Sequence, residues 1–226
     1  MERRDALYGR RKGKKLSPRR TGLMATLYPA LALDLAKPAP ADLRTLFPVP
    51  VKAVRLEIGF GGGEHMLANA AAFPDIGFIG VEPFVNGMAK ALATIEETGA
   101  RNVRLHDGDA ALLLDWLPPE SLAGVDLLYP DPWPKKRHFK RRFVSDGNLA
   151  RIARALAPGG LFRVASDIES YIDWTLLHVL PRDDFAWTAT RADDWRKPFP
   201  GWPGTRYEQK AVAAGRVPAY LVFKRG

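Results

Sequence analysis

The chain of 226 residues is 46% hydrophobic and 26% charged, contains no cysteine, and carries a formal charge of +9. That length suits one domain of about 170–200 residues plus a tail, and the missing cysteines exclude disulfides, thiolate metal sites and thiol nucleophiles. No apolar run reaches the roughly 18 residues of a membrane helix, and no apolar signal stretch opens the chain, so a cytoplasmic location without a membrane partner is expected.

The charge is unevenly spread. Residues 1–20 hold nine basic and two acidic side chains, and Lys135–Arg142 adds six cations, which leaves −4 for the rest of the chain. Two basic clusters on a mildly acidic body are the footprint of a polyanionic partner. His65, His106, His138 and His178 stand singly, without metal-ligand spacing, and no metal is expected.

In chain order, the first 20 residues have almost no apolar content and predict a flexible arm. Prolines at 29, 38, 40, 48 and 50 then suit an extended lead-in with one short helix. The expected division is a basic, flexible arm over 1–35 and a single domain over 36–226. From Ala53 onward, buried strands alternate with amphipathic helices. Strands are expected at 53–58, 77–82, 102–107, 124–129 and 160–166, with two closing strands at 183–190 and 218–224. Helices are expected at 63–72, 86–98, 110–116, 146–156 and 168–180. This alternation predicts an α/β fold, a mostly parallel sheet of seven strands with helices on both faces. Ligands of such sheets bind beyond the carboxyl ends of the strands, where the strand order reverses.

The first such end reads Glu57-Ile58-Gly59-Phe60-Gly61-Gly62-Gly63. Gly59, Gly61 and Gly63 allow a tight turn and a close approach of ligand to backbone. The spacing differs from the dinucleotide pattern G-x-G-x-x-G, whose third glycine is replaced by Glu64. Glu57 would repel a pyrophosphate but hold a sulfonium and an ammonium group, which points to S-adenosyl-L-methionine. Glu82 ends the second strand, where a carboxylate accepts from ribose hydroxyls. Asp109 follows the third strand, positioned either for the adenine amino group or as a helix cap.

The fourth strand leads into YPDPWPKKRHFKRR, residues 129–142. Flanking prolines pre-orient Asp131 with little entropy left to lose, at the place where methyltransferases of this architecture face the acceptor. The plainer alternative is a turn, with Trp133 as a core anchor.

Taken together, LEIGFGGGEHM, GVEPF, YPDPWPKKRH, RVASD and TRYEQK resemble the TrmB-type tRNA (guanine-N7)-methyltransferases, in consistent order from residue 53 to 224. The resemblance implies a Rossmann-like class I S-adenosylmethionine-dependent fold and methyl transfer to N7 of a guanine at position 46 of the tRNA variable loop. It implies cofactor contacts at Glu57, Glu82, Asp109 and Asp131, with Asp131 also the catalytic acid. It implies substrate contacts at Lys135, Asp167, Thr205, Arg206, Tyr207 and Glu208. RNA contacts are implied across Arg137, His138, Phe139, Lys140, Arg141 and Arg142. Guanine N7 bears a free lone pair, so the lack of a His–acid pair agrees with this substrate. Asp131, Asp167 and Glu208 are the candidates for reading N1–H and the exocyclic amine, and Asp167 is equally placed to cap the next helix. A methyltransferase for another acceptor, an RNA-binding protein with a degenerate cofactor site and a nicotinamide oxidoreductase remain the alternatives. The enzyme is expected to work as a monomer or homodimer.

Overall fold

The computed structural model describes Gly9 and residues 11–226. Helices α1 (Pro18–Thr26) and α2 (Tyr28–Leu31) and a 3₁₀ turn at Leu43–Leu46 precede the body. The body then runs β1 (Ala53–Ile58), α3 (Glu64–Ala72), β2 (Ile76–Val81), α4 (Val85–Thr98), β3 (Val103–His106), α5 (Ala110–Trp116) and β4 (Leu122–Leu128). A 3₁₀ segment at Lys136–Arg141 leads to α6 (Asp146–Ala155), β5 (Leu156–Ser166), α7 (Glu169–Val179), β6 (Phe185–Trp187), α8 (Asp193–Arg196), α9 (Arg206–Ala213) and β7 (Ala219–Arg225).

The seven strands form one sheet in the order β3-β2-β1-β4-β5-β7-β6, with only β7 antiparallel to its neighbours. The chain moves outward from β1 to β3 and then returns to β4, so the strand order reverses between β1 and β4. Apolar side chains on both sheet faces explain why both are covered. Leu56, Ile79 and Leu127 pack with α5 and α6 residues such as Leu113 and Ile152. Phe78 and Leu105 pack with Met66 of α3 and Met88, Leu92 and Ile95 of α4. Those three α4 positions recur at helical spacing, and Gly99 at φ 66° ends the helix, as its sequence position suggests.

The arm expected over residues 1–35 needs correction. Residues 1–8 and 10 lie outside the described residues, but residues 11–33 are folded onto the body. Arg11 O accepts from Val85 N at 3.0 Å, and Asn86 grips both Gly13 N at 2.6 Å and Lys14 O at 2.7 Å. Arg19 pairs with Glu96 and Glu97 of α4, and Leu23 and Leu31 are buried against the α3–α4 cluster. Leu33 N donates to Leu105 O at 2.9 Å, lengthening the edge beside β3. The charge run conceals an amphipathic stripe, Leu23, Leu27 and Leu31, at four-residue spacing.

A charged row crosses the middle of the sheet. Glu57, Asp126 and Arg163 are register partners on β1, β4 and β5. Asp126 is 2% exposed and accepts from Arg163 Nε at 2.5 Å and from Arg55 at 3.1 Å. The two guanidinium groups hold its carboxyl below the ordinary carboxylate range despite the cost of burial.

Candidate active site

The glycine loop makes its turn with Gly59, Gly61 and Gly63 at φ 70°, 59° and 81°, a left-handed backbone that side chains disfavour. The first turn of α4 lies so close that a Cβ on Gly87 would sit 2.3 Å from Gly61 O. Glu82, at the end of β2, joins the two loops: one oxygen accepts from Gly61 N at 2.6 Å and the other from Phe84 N at 2.8 Å. Burial raises its pKa, and each oxygen keeps a lone pair for a further donor.

These loops form one wall of a cleft of about 750 Å³ at the carboxyl ends of the strands. That volume falls within the range of small-molecule sites. Gly59, Gly61, Glu82, Asp109, Asp131, Arg206 and Tyr207 all line it. Asp109 lines the cleft and also caps α5, accepting from Ala111 N at 2.8 Å.

Glu57 does not line the cleft, contrary to its expected contact with the cofactor. Its buried carboxylate lies 2.5 Å from His65 Nδ1 on α3, a His–acid pair that the sequence did not announce and that does not line the cleft, and desolvation raises its pKa. The period of two along β1 explains this placement: Glu57 shares a face with Arg55, away from Leu56 and Ile58.

The segment after β4 is strained at both ends. Tyr129 and Trp133 have φ of 50° and 42°, rare for aromatic residues, and they bracket Pro130-Asp131-Pro132. Tyr129 N donates to Ala165 O at 2.7 Å, and Arg142 Nε donates to Pro132 O at 2.9 Å. Asp131 is thereby presented exposed at the cleft.

The basic run divides. Lys135, Lys136, Arg137 and Lys140 are exposed, while Arg141 lies half-buried over the Trp133 ring at 4.9 Å. Arg142 is only 3% exposed, so its expected RNA contact is corrected. Its guanidinium donates to Ser170 O at 2.8 Å and stacks 3.9 Å from the Phe139 ring. Phe139 in turn packs edge-on to Trp174 at 5.3 Å. His138 meets Trp133 edge-on, and desolvation followed by the neighbouring cations lowers its pKa.

Thr205–Glu208 opens α9 through a capping box. Glu208 N donates to Thr205 Oγ1 at 3.0 Å and Thr205 N to Glu208 Oε2 at 3.3 Å, a pairing that the T-x-x-E spacing announces. Glu208 also accepts from Trp202 Nε1 at 2.7 Å and from the Tyr220 hydroxyl. These bonds fix Thr205 and Glu208 at the start of α9. Arg206 and Tyr207 do face the cleft, joined by a 3.0 Å hydrogen bond. Asp167 pairs with Arg216 at 2.5 Å and does not cap α7; Ile168 N donates to Ser166 Oγ instead. Among the described residues no group of three or more His, Cys, Asp or Glu could hold a metal, and no helix is long and apolar enough to cross a membrane.

A family model described as "Putative methyltransferase" matches residues 51–220. The tRNA (guanine-N(7)-)-methyltransferases of Mesorhizobium japonicum and Rhizobium meliloti are 59% and 61% identical to this chain over 221 residues, 98% of it and 95% of each relative. The solved structure of the 16S rRNA methyltransferase KamB aligns with a TM-score of 0.57 at 16% identity, covering 78% of this chain and 89% of that one. Precorrin-6y C5,15-methyltransferase from Geobacter metallireducens aligns at 0.52 and 13%, covering 81% and 88%. These two likenesses show that the chain shares its fold with those structures. With its cleft at the β1–β4 reversal and its near-complete match to these relatives, the chain belongs to the tRNA (guanine-N(7)-)-methyltransferase family, whose methyl donor is S-adenosyl-L-methionine.

Proposed function

We propose that the enzyme methylates N7 of the guanine at position 46 in the tRNA variable loop, giving 7-methylguanosine, and does so in the cytoplasm as a monomer or homodimer. The observation that carries this reading is Asp131, held rigid between two strained residues at a cleft and followed in the chain by a run with four exposed cations, of which Lys140 lines the cleft. The cleft fits the donor: Glu82 has lone pairs free for ribose hydroxyls, Asp109 stands at the adenine end, and the glycine floor leaves backbone exposed to a ligand. When bound, S-adenosylmethionine supplies an electrophilic methyl on sulfur.

The protein's own part is positioning. N7 needs no base to become nucleophilic, so alignment of N7 with the methyl carbon and sulfur supplies most of the rate. N7 must remain free, which rules out the usual arginine fork on O6 and N7. Recognition then moves to N1–H and the exocyclic amine, donors that an Asp131 carboxylate accepts. The base becomes cationic as the methyl arrives, and the same carboxylate stabilises that charge.

Lys136, Arg137 and Lys140 are assigned to phosphates. Reversing all three to Glu should weaken tRNA binding at least 10-fold near 0.1 M salt and flatten the salt dependence by roughly 0.7–0.9 per contact. Binding of S-adenosylmethionine, measured by calorimetry, should stay the same. Unchanged tRNA affinity at low salt would remove the assignment. The function itself is tested with labelled S-adenosylmethionine and unmodified tRNA, followed by borohydride/aniline mapping of the methylated position. Cleavage anywhere other than the variable loop would reject the proposed site.

A further inference from the structure

His65 is the second residue of α3, just beyond the glycine loop, and is only 4% exposed. Its Nδ1 meets the Glu57 carboxylate at 2.5 Å, and its ring lies 4.8 Å from that of Trp202 at an angle of 41°. A buried carboxylate on one nitrogen and an aromatic neighbour together fix both the place and the tilt of an imidazole. None of these three side chains lines the cleft.

Trp202 is the joint of the segment that leads into α9. Its Nε1 donates to Glu208 Oε2 at 2.7 Å, and its ring meets Phe199 and Tyr220 edge-on at 5.5 and 5.8 Å. Phe199 and Tyr220 pack with Leu128 and Ala165, so these contacts tie the segment to the β4 and β5 side of the cleft. His65 belongs to the opposite side, on the helix that follows β1. Its contact with Trp202 therefore braces the segment across the strand reversal. The same segment delivers Arg206 and Tyr207 to the cleft, where a Cβ on Gly61 would lie 3.5 Å from the Tyr207 ring. Both side chains are exposed, so their place depends on the turn beneath them.

We propose that His65 is a positioning residue for methyl transfer: clamped by Glu57, it holds Trp202 and thereby sets Arg206 and Tyr207 over the glycine loop. The inference rests on the proposed methylation of a tRNA guanine in this cleft.

Three variants test it. His65→Asn keeps an amide donor near the place of Nδ1 and removes the ring that meets Trp202. Trp202→Leu removes the same contact from the other side, and Trp202→Phe keeps a ring there while losing the bond to Glu208. His65→Asn and Trp202→Leu should each lower the single-turnover rate at saturating tRNA about 10-fold, with affinities for tRNA and S-adenosylmethionine within about 2-fold of the parent. Their double variant should be little slower than Trp202→Leu alone, because all three lose one contact, and Trp202→Phe should recover most of the rate. Hydrogen exchange reads the brace independently of methylation: amides over 199–208 should exchange faster in His65→Asn, while those of β1 and β4 stay protected. Unchanged turnover, additive losses, weakened affinity for S-adenosylmethionine or unchanged exchange over 199–208 would each overturn the proposal. Should His65→Asn not fold, the two Trp202 variants decide, and equal rates in Leu and Phe would overturn it. A parent protein that methylated no tRNA guanine would sink the underlying reading in the first assay, a failure distinct from any pattern among the variants.

Discussion

Asp131→Asn should lower turnover on tRNA by about 10²- to 10³-fold, in the range seen when a single group facing transition-state charge is removed. The substitution keeps the size and planarity of the side chain. Pro130 and Pro132 still fix the backbone, and Tyr129 N and Pro132 O still anchor the loop. What changes is the charge, together with one acceptor for the guanine edge. In the free enzyme Asp131 is exposed to water, so the carboxylate reaches full effect only once RNA covers the cleft. The loss should therefore appear in kcat more than in binding. Single-turnover rates with saturating tRNA, alongside calorimetric affinity for S-adenosylmethionine, separate the two. Near-normal turnover with intact cofactor binding would end the electrostatic role assigned here.

The second large effect concerns folding. Asp126→Asn should cost about 3–5 kcal/mol, the usual penalty for removing one member of a buried charge cluster. The variant leaves Arg163, which also lies over the Phe199 ring, and Arg55 facing a neutral amide inside the sheet. The pH dependence follows from the depressed folded-state pKa of Asp126. Stability from this carboxylate is complete above its unfolded value, near 4, and is lost as pH falls through the lower folded value. Melting temperatures of the parent and variant should thus differ most near neutrality and converge in acid. Glu57 in the same row has the opposite sign, because burial raises its pKa: its contribution is present in acid and is lost as pH rises through the raised value. A gap between the two proteins that stays constant down to pH 2 would contradict the assignment to Asp126.

The strands and the helices between 53 and 180, with the two closing strands, were legible because their causes are local, whereas α8 and α9 were not expected. Apolar period, glycine stops and prolines lie within each segment, and most boundaries agree to within one or two residues. Glu82, Asp109 and Asp131 were legible for a related reason, since a parallel sheet gathers its strand ends at one edge. The failures share a different cause. Nothing within KKRHFKRR distinguishes Arg142, whose partners Ser170 and Trp174 belong to α7. Glu57 looked like a ligand because of its distance from the glycines, although strand parity with Arg55 already turned it toward α3. The α1 stripe was hidden beneath charge, and the Thr205–Glu208 cap lay in plain view within TRYEQK.

Arg142 also bears on which changes the chain can tolerate. Its planar fork spans Pro132 and Ser170 while its face covers Phe139, so three parts of the structure are registered by one side chain. A lysine there would keep the charge but lose the fork and the stacking. At Lys136, Arg137 and Lys140, the positions proposed to meet phosphates, either cation should serve, because a phosphate asks only for positive charge at roughly the right place. Related sequences should accordingly drift between lysine and arginine at those three positions and hold arginine at the sixth cation of the run.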